Sequence, residues 1–369
     1  MKTLLGKKVA KPTLMSTYPS EDVTFLLKDL SDVLVEREVE DREESPDFGK
    51  FLPTEYEPSA AYLSLFYEML GELAGKVALS VGTVSEMILA RNGQKTVLAS
   101  LRSAGTPAGV LIRRYLKMIH NIEVSHYSHG LIKGLGIDRN ALTYMVQQHP
   151  DYHIQFVDSW TGKGASLKRL IENVSEFNSV YNTRISGEMA ALADPGHCVS
   201  TFGTRDDFLI PNALLNSHVN GLISRTVVPD EFIGPDDFYG AKFYKQWIEQ
   251  DVSNLYVDTI SSKFMSIAND ARNQAKQYLA NPELTEATWR GIQDIKAIQE
   301  RFAIEDMNLV KPGVGETTRF LLKRAPSLIL VKDINNPYLK HVLQLAEERG
   351  VRIEVYPDLT YSCCGIVNS

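Results

Sequence analysis

The sequence predicts an α/β protein, a mostly parallel sheet with flanking helices followed by a small C-terminal αβαβ domain. Three observations predict it. Short apolar runs rich in β-branched residues alternate with amphipathic helical stretches between about residues 77 and 177, the pattern of βαβ units. Residues 252–301 read as almost wholly helical. Beyond them lies a compact helix–strand–helix–strand passage with turn signals of its own. The boundary is expected between residues 280 and 310, giving domains at 15–285 and 300–369, and no internal repeat is apparent.

Taken in order, residues 20–60 are acidic and irregular, and the run EREVEDREE at 36–44 reads as a solvated surface. From Ser59, Tyr62, Phe66, Met69 and Leu73 recur at helical spacing, with Glu68 and Glu72 off that face. VALSV (77–81) and TVLASL (96–101) read as strands, and PAGVLIRRYLKMI (107–119) as the helix after the second. EVSHYSH (123–129) is a further strand. After a glycine-rich stretch, YHIQFVDS (152–159) is a buried strand ending in an acid. SLKRLIENVSEF (166–177) follows as a helix, with Leu167, Leu170 and Val174 on one face. Within the long helical region, Asn281-Pro282 marks a helix end. GETTRFLLKR (315–324) is helical and SLILVKD (327–333) a strand. PYLKHVLQLAEERG (337–350) is a helix opened by Pro337 and closed by Gly350, and VRIEVYP (351–357) is a strand.

Composition narrows the function classes. Lys plus Arg is 39 against 46 for Asp plus Glu, net −7, so the whole chain lacks the field that grips nucleic acid by phosphate neutralisation. With 44% hydrophobic and 23% charged residues it is neither disordered nor low-complexity. Three cysteines, two of them adjacent (Cys363, Cys364), build no disulfide framework. No signal-type apolar core follows the N-terminus, and no uncharged apolar run reaches the roughly 18 residues a membrane span requires. The expectation is a soluble, cytoplasmic protein with no membrane contact.

In an open parallel sheet, ligands bind outside the carboxyl ends of the strands, and two strand ends here are chemically distinctive. TVLASL runs into Arg102-Ser103-Ala104-Gly105, where small residues allow close backbone approach and Arg102 adds charge at a helix start. An ordinary tight turn fits the same residues. YHIQFV runs into Asp158-Ser159-Trp160-Thr161-Gly162-Lys163-Gly164-Ala165-Ser166. An acid at a strand tip suits a sugar diol, and hydroxyls, free N–H groups and a lysine at a helix start suit a phosphate. The segment is neither a Walker loop, since Lys163 precedes glycine, nor a dinucleotide fingerprint.

Residues 156–166 resemble the ribose-phosphate loop of type I phosphoribosyltransferases. Asp158 falls on the first acid of that motif, Ser159 departs from its second acid, and Gly164-Ala165-Ser166 falls on Gly-Gly-Thr. Leu101 to Gly105 resembles the diphosphate loop, and Lys133 to Asn140 lies where that family places a mobile hood. The resemblance implies a type I phosphoribosyltransferase-like fold and an enzyme acting on phosphoribosyl diphosphate with Mg²⁺. Asp158 would hold the ribose, Ser159 and Thr161 to Ser166 the 5-phosphate, and Leu101 to Gly105 the diphosphate, with Lys133 or Arg139 closing over it. A wider match covers EYEPSAAYLSLF (55–66), LRSAGTP (101–107), GIDRNAL (136–142), VDSWTGKGA (157–165), FGTRDDFLIP (202–211), LNSHVNGLISRTV (215–227) and GPDDFYGAKFY (234–244). Together these resemble the bacterial phosphoribosyltransferase-like StiP family, found with tellurite-resistance and stress gene clusters and also called a cysteine protease. Its members carry a C-terminal domain similar to the pelota-type RNA-binding fold.

Other constellations are weaker. Thiol catalysis needs a histidine within reach of the sulfur, and the neighbours His197 and Cys198 ordinarily point apart. His126, His129, His149 and His153 lack metal-site spacing. Arg205-Asp206-Asp207 offers an acceptor or metal site, and Asp236-Asp237 either the same or a turn cap. Arg319, Lys323, Arg324 and Lys332 are candidates for RNA contact, although acids and bases nearly balance in that domain. A second reading is a non-catalytic sensor of a nucleotide or ribose phosphate, which Ser159 favours.

Overall fold

The computed structural model describes Leu4 and residues 6–38, 49–323 and 326–367. A two-residue strand β1 (Thr24–Phe25) precedes the 33-residue helix α1 (Ala60–Asn92), which opens on Ser59, whose hydroxyl accepts the Tyr62 N–H. Then come β2 (Thr96–Leu101), α2 (Gly105–His120), β3 (Ser125–His129), a hairpin of β4 (Leu131–Ile132) and β5 (Gly136–Ile137), α3 (Arg139–Gln148) and β6 (His153–Trp160). Next are α4 (Ala165–Tyr181), β7 (Met189–Ala193), β8 (Thr201–Thr204), α5 (Ser253–Ser261) and α6 (Phe264–Ala280). The central sheet has the order β1-β3-β2-β6-β7-β8, and every pairing in it is parallel.

Alternation along the strands divides the interior. Val97, Ala99 and Leu101 join α3 and α4 in one cluster, while Leu98, Val157, Ala190 and Leu192 join α1, α2, α5 and α6 in the other. The sheet is therefore covered on both faces. VALSV, expected as a strand, lies inside α1. The reason is burial: α1 is wedged among β7, β8, α2, α5 and α6, so the apolar period that marks a surface helix disappears. At Gly203 of β8 a Cβ would stand 2.2 Å from the Ser80 carbonyl oxygen, so helix and sheet touch backbone to backbone. Among the described residues α1 is the one helix long and apolar enough to cross a membrane, and 67% of its apolar window is buried in the fold.

The C-terminal part contains α7 (Arg290–Phe302), β9 (Val310–Pro312), α8 (Gly313–Lys323), β10 (Leu328–Val331), α9 (Lys340–Glu348), β11 (Arg352–Val355) and β12 (Cys363–Ile366). Its sheet runs β9-β12-β10-β11, with β10 and β11 parallel and β12 antiparallel to both its neighbours. Leu321, Ile329, Val342 and Cys363 share one buried cluster with α1, so the two parts are packed together. The architecture is α/β with a mostly parallel central sheet; nothing in it singles out the phosphoribosyltransferase type.

Candidate functional site

After β2 the chain turns to α2 on one face; after the neighbouring β6 it turns to α4 on the other. The crevice between these two carboxyl ends is the topological switch point. The sheet thus brings Leu101–Gly105 and Asp158–Ser166 together, where the sequence located them. Their side chains do other work than expected.

Arg102 turns inward. Its Nη2 donates to the carbonyls of Ser224 (2.7 Å) and Ile223 (3.2 Å), and its guanidinium lies over the Phe25 ring. Burial lowers its pKa to about 10. Ser103 and Ala104 are exposed, but the Ala104 carbonyl already accepts the Ser159 hydroxyl (2.6 Å) and the Asn212 amide (3.2 Å). Ser159, placed at the motif's second acid, is a strut across the crevice. Asp158 accepts its neighbour's N–H at 2.7 Å, and burial pushes its carboxyl up to about 7.

The expected phosphate cradle is roofed. The Gly162 carbonyl accepts the Tyr361 hydroxyl (3.2 Å) and the Cys198 thiol (3.4 Å), and Lys163 Nζ donates to the Met307 carbonyl (2.9 Å). Thr161 donates to Asp194. Gly164 caps α4 at φ +75°, and a Cβ there would meet the Trp289 ring at 2.2 Å. Ala165 and Ser166 are exposed at the helix start, which no side chain caps.

The expected hood is a hairpin and a helix start rather than a poorly packed loop. Asp138, buried, accepts the N–H groups of Asn140, Ala141 and Tyr239, and the Ile137 N–H donates to Asn173. Arg139 pairs with Glu176 on α4, and Lys133 is exposed at the hairpin tip. Polar residues that look loop-like in sequence all find partners here.

Arg205, Asp206 and Asp207 go three ways. Arg205 pairs with Asp194 and stacks on Phe202; Asp206 pairs with Lys76. Asp207 is buried and accepts the N–H groups of Val314 (3.0 Å) and Ser362 (2.8 Å), so it docks the C-terminal part. Asp237 pairs with Lys28. Among the described residues no group of three His, Cys, Asp or Glu suits a metal ion. His126 bonds Ser100 and the Asp22 carbonyl, and His149 faces Tyr127. Of the RNA candidates, Arg319 donates to Asn216, Lys323 is exposed on α8, and Arg324 lies outside the described residues. Lys332 follows β10 and adds positive charge near His197.

One group was missed. Asp194, fully buried after β7, accepts the N–H groups of Cys198 (2.8 Å) and Val199 (3.0 Å), the Thr161 hydroxyl and the Arg205 guanidinium. It fixes the 194–199 turn so that Cys198 Sγ lies at the start of α4: a Cβ on Gly164 would be 3.1 Å from it. The signal available was the Asp-Pro-Gly turn directly after an apolar strand. Burial and Asp194 push the Cys198 thiol up to about 12 in this arrangement. His197, at φ +54°, is driven down to about 4 by burial and by Arg205, Arg290 and Lys332. Among the described residues no histidine nitrogen hydrogen-bonds a cysteine sulfur. Cys363 and Cys364 are wholly enclosed in β12.

Comparison with known proteins identifies the lineage. Residues 16–261 match the family model described as tellurite-like stress resistance cysteine protease StiP. Residues 289–369 match the model of the pelota RNA-binding domain. A curated protein of Acinetobacter baylyi named cysteine protease StiP is 28% identical over 355 residues, spanning 92% of this chain and 90% of that protein. These findings overturn the phosphoribosyl-transfer reading, with its sensor variant: the matched family and the Acinetobacter baylyi relative are both named as cysteine proteases, and the roofed cradle and inward Arg102 remove its physical basis. With well over half its length matched by the one family model, the chain belongs to the StiP family of tellurite-like stress resistance cysteine proteases.

Proposed function

We propose that the chain acts in stress resistance as a thiol hydrolase, a cysteine peptidase with Cys198 as nucleophile, seen here in a closed form. The observation that carries this is the placement of Cys198 Sγ at the uncapped N-terminus of α4. Reactive cysteines occupy such termini because the helix dipole and free N–H groups favour thiolate over thiol. Those N–H groups would also take the charge of a carbonyl oxygen when the sulfur adds to its carbon. Cys363 and Cys364, by contrast, are wholly enclosed within a sheet strand. In the closed form the thiol proton rests on the Gly162 carbonyl, so catalysis requires an opening that brings a base to it. His197, neutral and adjacent in sequence, is the base within that turn. The name of the family and of the Acinetobacter baylyi relative supports the reading. Cys198→Ala should abolish both hydrolysis of a labelled casein substrate and rescue of a deletion strain under tellurite, with the melting temperature unchanged. Cys363→Ala and Cys364→Ala should retain both. A Cys198→Ala variant that still cleaves and rescues removes the proposal.

A second element of the function is RNA contact by residues 289–369, which the pelota match supports. The surface suited to it differs from the one expected. Arg301 is exposed on α7, stacks over Tyr356 at 4.7 Å and meets Arg352 around Glu354. Arginine beside an aromatic ring suits an unpaired base and its phosphate. For full-length protein, Arg301→Ala with Arg352→Ala should weaken filter binding to a hairpin RNA and flatten its salt dependence by about two phosphate contacts. Identical binding and salt slope would exclude this surface.

A further inference from the structure

The thiol of Cys198 is shut in from one side by residues that belong to neither the central sheet nor its helices. The segment from Glu286 to Gly291, which leads into the first residues of α7, runs across the 194–199 turn. It is tied down at three points: Arg205 Nη2 donates to the Glu286 carbonyl (3.0 Å), the Trp289 N–H to the His197 carbonyl (2.8 Å), and the Gly291 N–H to the Gly196 carbonyl (3.1 Å). The contact is close enough that a Cβ on Gly291 would stand 2.8 Å from Gly196 Cα and 2.1 Å from the Tyr361 hydroxyl. Trp289 lays its ring against Gly164, where a Cβ would meet both the ring at 2.2 Å and Cys198 Sγ at 3.1 Å, and Lys168 of α4 sits over that ring at 5.6 Å. Tyr361, from the C-terminal part, donates to the same Gly162 carbonyl that holds the thiol. Thr161, Gly162, Gly164, Gly196 and Trp289 thus surround Cys198, which is 3% exposed as a residue.

The seat is also strained. Trp289 and His197, joined by a backbone hydrogen bond, both sit in the left-handed region, at φ +55° and +54°. Bulky L-residues enter that region only when surrounding contacts hold them there. Three hydrogen bonds, two between backbones and one from the Arg205 side chain, hold this segment closed against the local strain.

We infer that residues 286–291, with Tyr361 behind them, form a cover that gates Cys198, so that the C-terminal part controls access to the thiol. The inference rests on the reading of Cys198 as nucleophile for its purpose, but its test reads access alone. Full-length protein is treated with iodoacetamide, and alkylation of each cysteine is followed by peptide mass spectrometry. Trp289→Ala should speed alkylation of Cys198 tenfold or more, while Cys363 and Cys364 remain as slow as in the parent and serve as the internal record of an intact fold. Tyr361→Phe, which removes one hydroxyl, should speed Cys198 about threefold. If Trp289→Ala exposes all three cysteines together, Tyr361→Phe decides alone. An unchanged Cys198 rate in Tyr361→Phe, or in a folded Trp289→Ala protein, overturns the cover. A faster thiol in a protein that hydrolyses nothing would keep the cover and discard the peptidase.

Discussion

Asp194→Ala is expected to lose about 3–5 kcal/mol of unfolding free energy, the cost of removing one partner from a buried ion pair. Its carboxylate is completely enclosed, and the Arg205 side chain facing it is only 16% exposed. Four donors converge on the two oxygens: the N–H groups of Cys198 and Val199, the Thr161 hydroxyl and the guanidinium. Deleting the acid leaves all four to be rehydrated or stranded, and a buried unpaired donor is costly. Asp194→Asn should lose less, because one oxygen remains, yet still be destabilised because on either side its amide N–H₂ faces at least one N–H group that can only donate. The measurement is the urea midpoint with the m-value unchanged. A loss below about 1 kcal/mol for the alanine variant would mean that the 194–199 turn holds its shape without the carboxylate, and Asp194 would no longer explain where Cys198 sits.

The strands and the site were legible to different depths, for physical reasons. TVLASL and HIQFVDSW stand out because apolar β-formers are bounded by turn residues, and together with SHYSH they are central or next to central in the sheet. Met189–Ala193 and Thr201–Thr204 do not stand out: alanine and glycine are poor strand formers and the second run is only four residues long, and these strands accept small residues because α1 presses directly on them. Cys363–Ile366 is not among the strands the sequence marks, yet it is an interior strand of the C-terminal sheet. Local sequence correctly brought Arg102 and Asp158 to the carboxyl edge. It had no access to what lies above them. Trp289, Met307 and Tyr361 arrive from far downstream, and only the folded chain shows that they fill the space a ligand's phosphate was expected to take. The lysine of the cradle is spent on a carbonyl. For the same reason the deciding residue at Cys198 is Gly164, whose missing side chain gives the sulfur its place beside α4.

Asp207→Asn is expected to change how stability depends on pH, by an amount of order 4 kcal/mol between pH 4 and 7. Asp207 is 5% exposed and holds the first turn of α8 and the residue before β12 through the N–H groups of Val314 and Ser362. Burial pushes its carboxyl up to about 7, against 3.8 for an ordinary aspartate, although those N–H groups pull the other way. The folded protein therefore keeps a proton that the unfolded chain releases. Its contribution is fully present below about pH 4 and is lost as pH rises through 7, each pH unit in that window being worth about 1.4 kcal/mol. Asparagine has no proton to lose. It retains one acceptor and turns its N–H₂ on the other donor, a fixed cost of about 1–3 kcal/mol that does not vary with pH. Asp138 and Asp158, raised in the same direction, are present in both proteins and cancel in the difference. The stability of the variant minus that of the parent should thus climb from pH 4 to 7 and level off above. A difference that stays flat across that range would show that Asp207 is already ionised when folded, with its N–H donors outweighing burial.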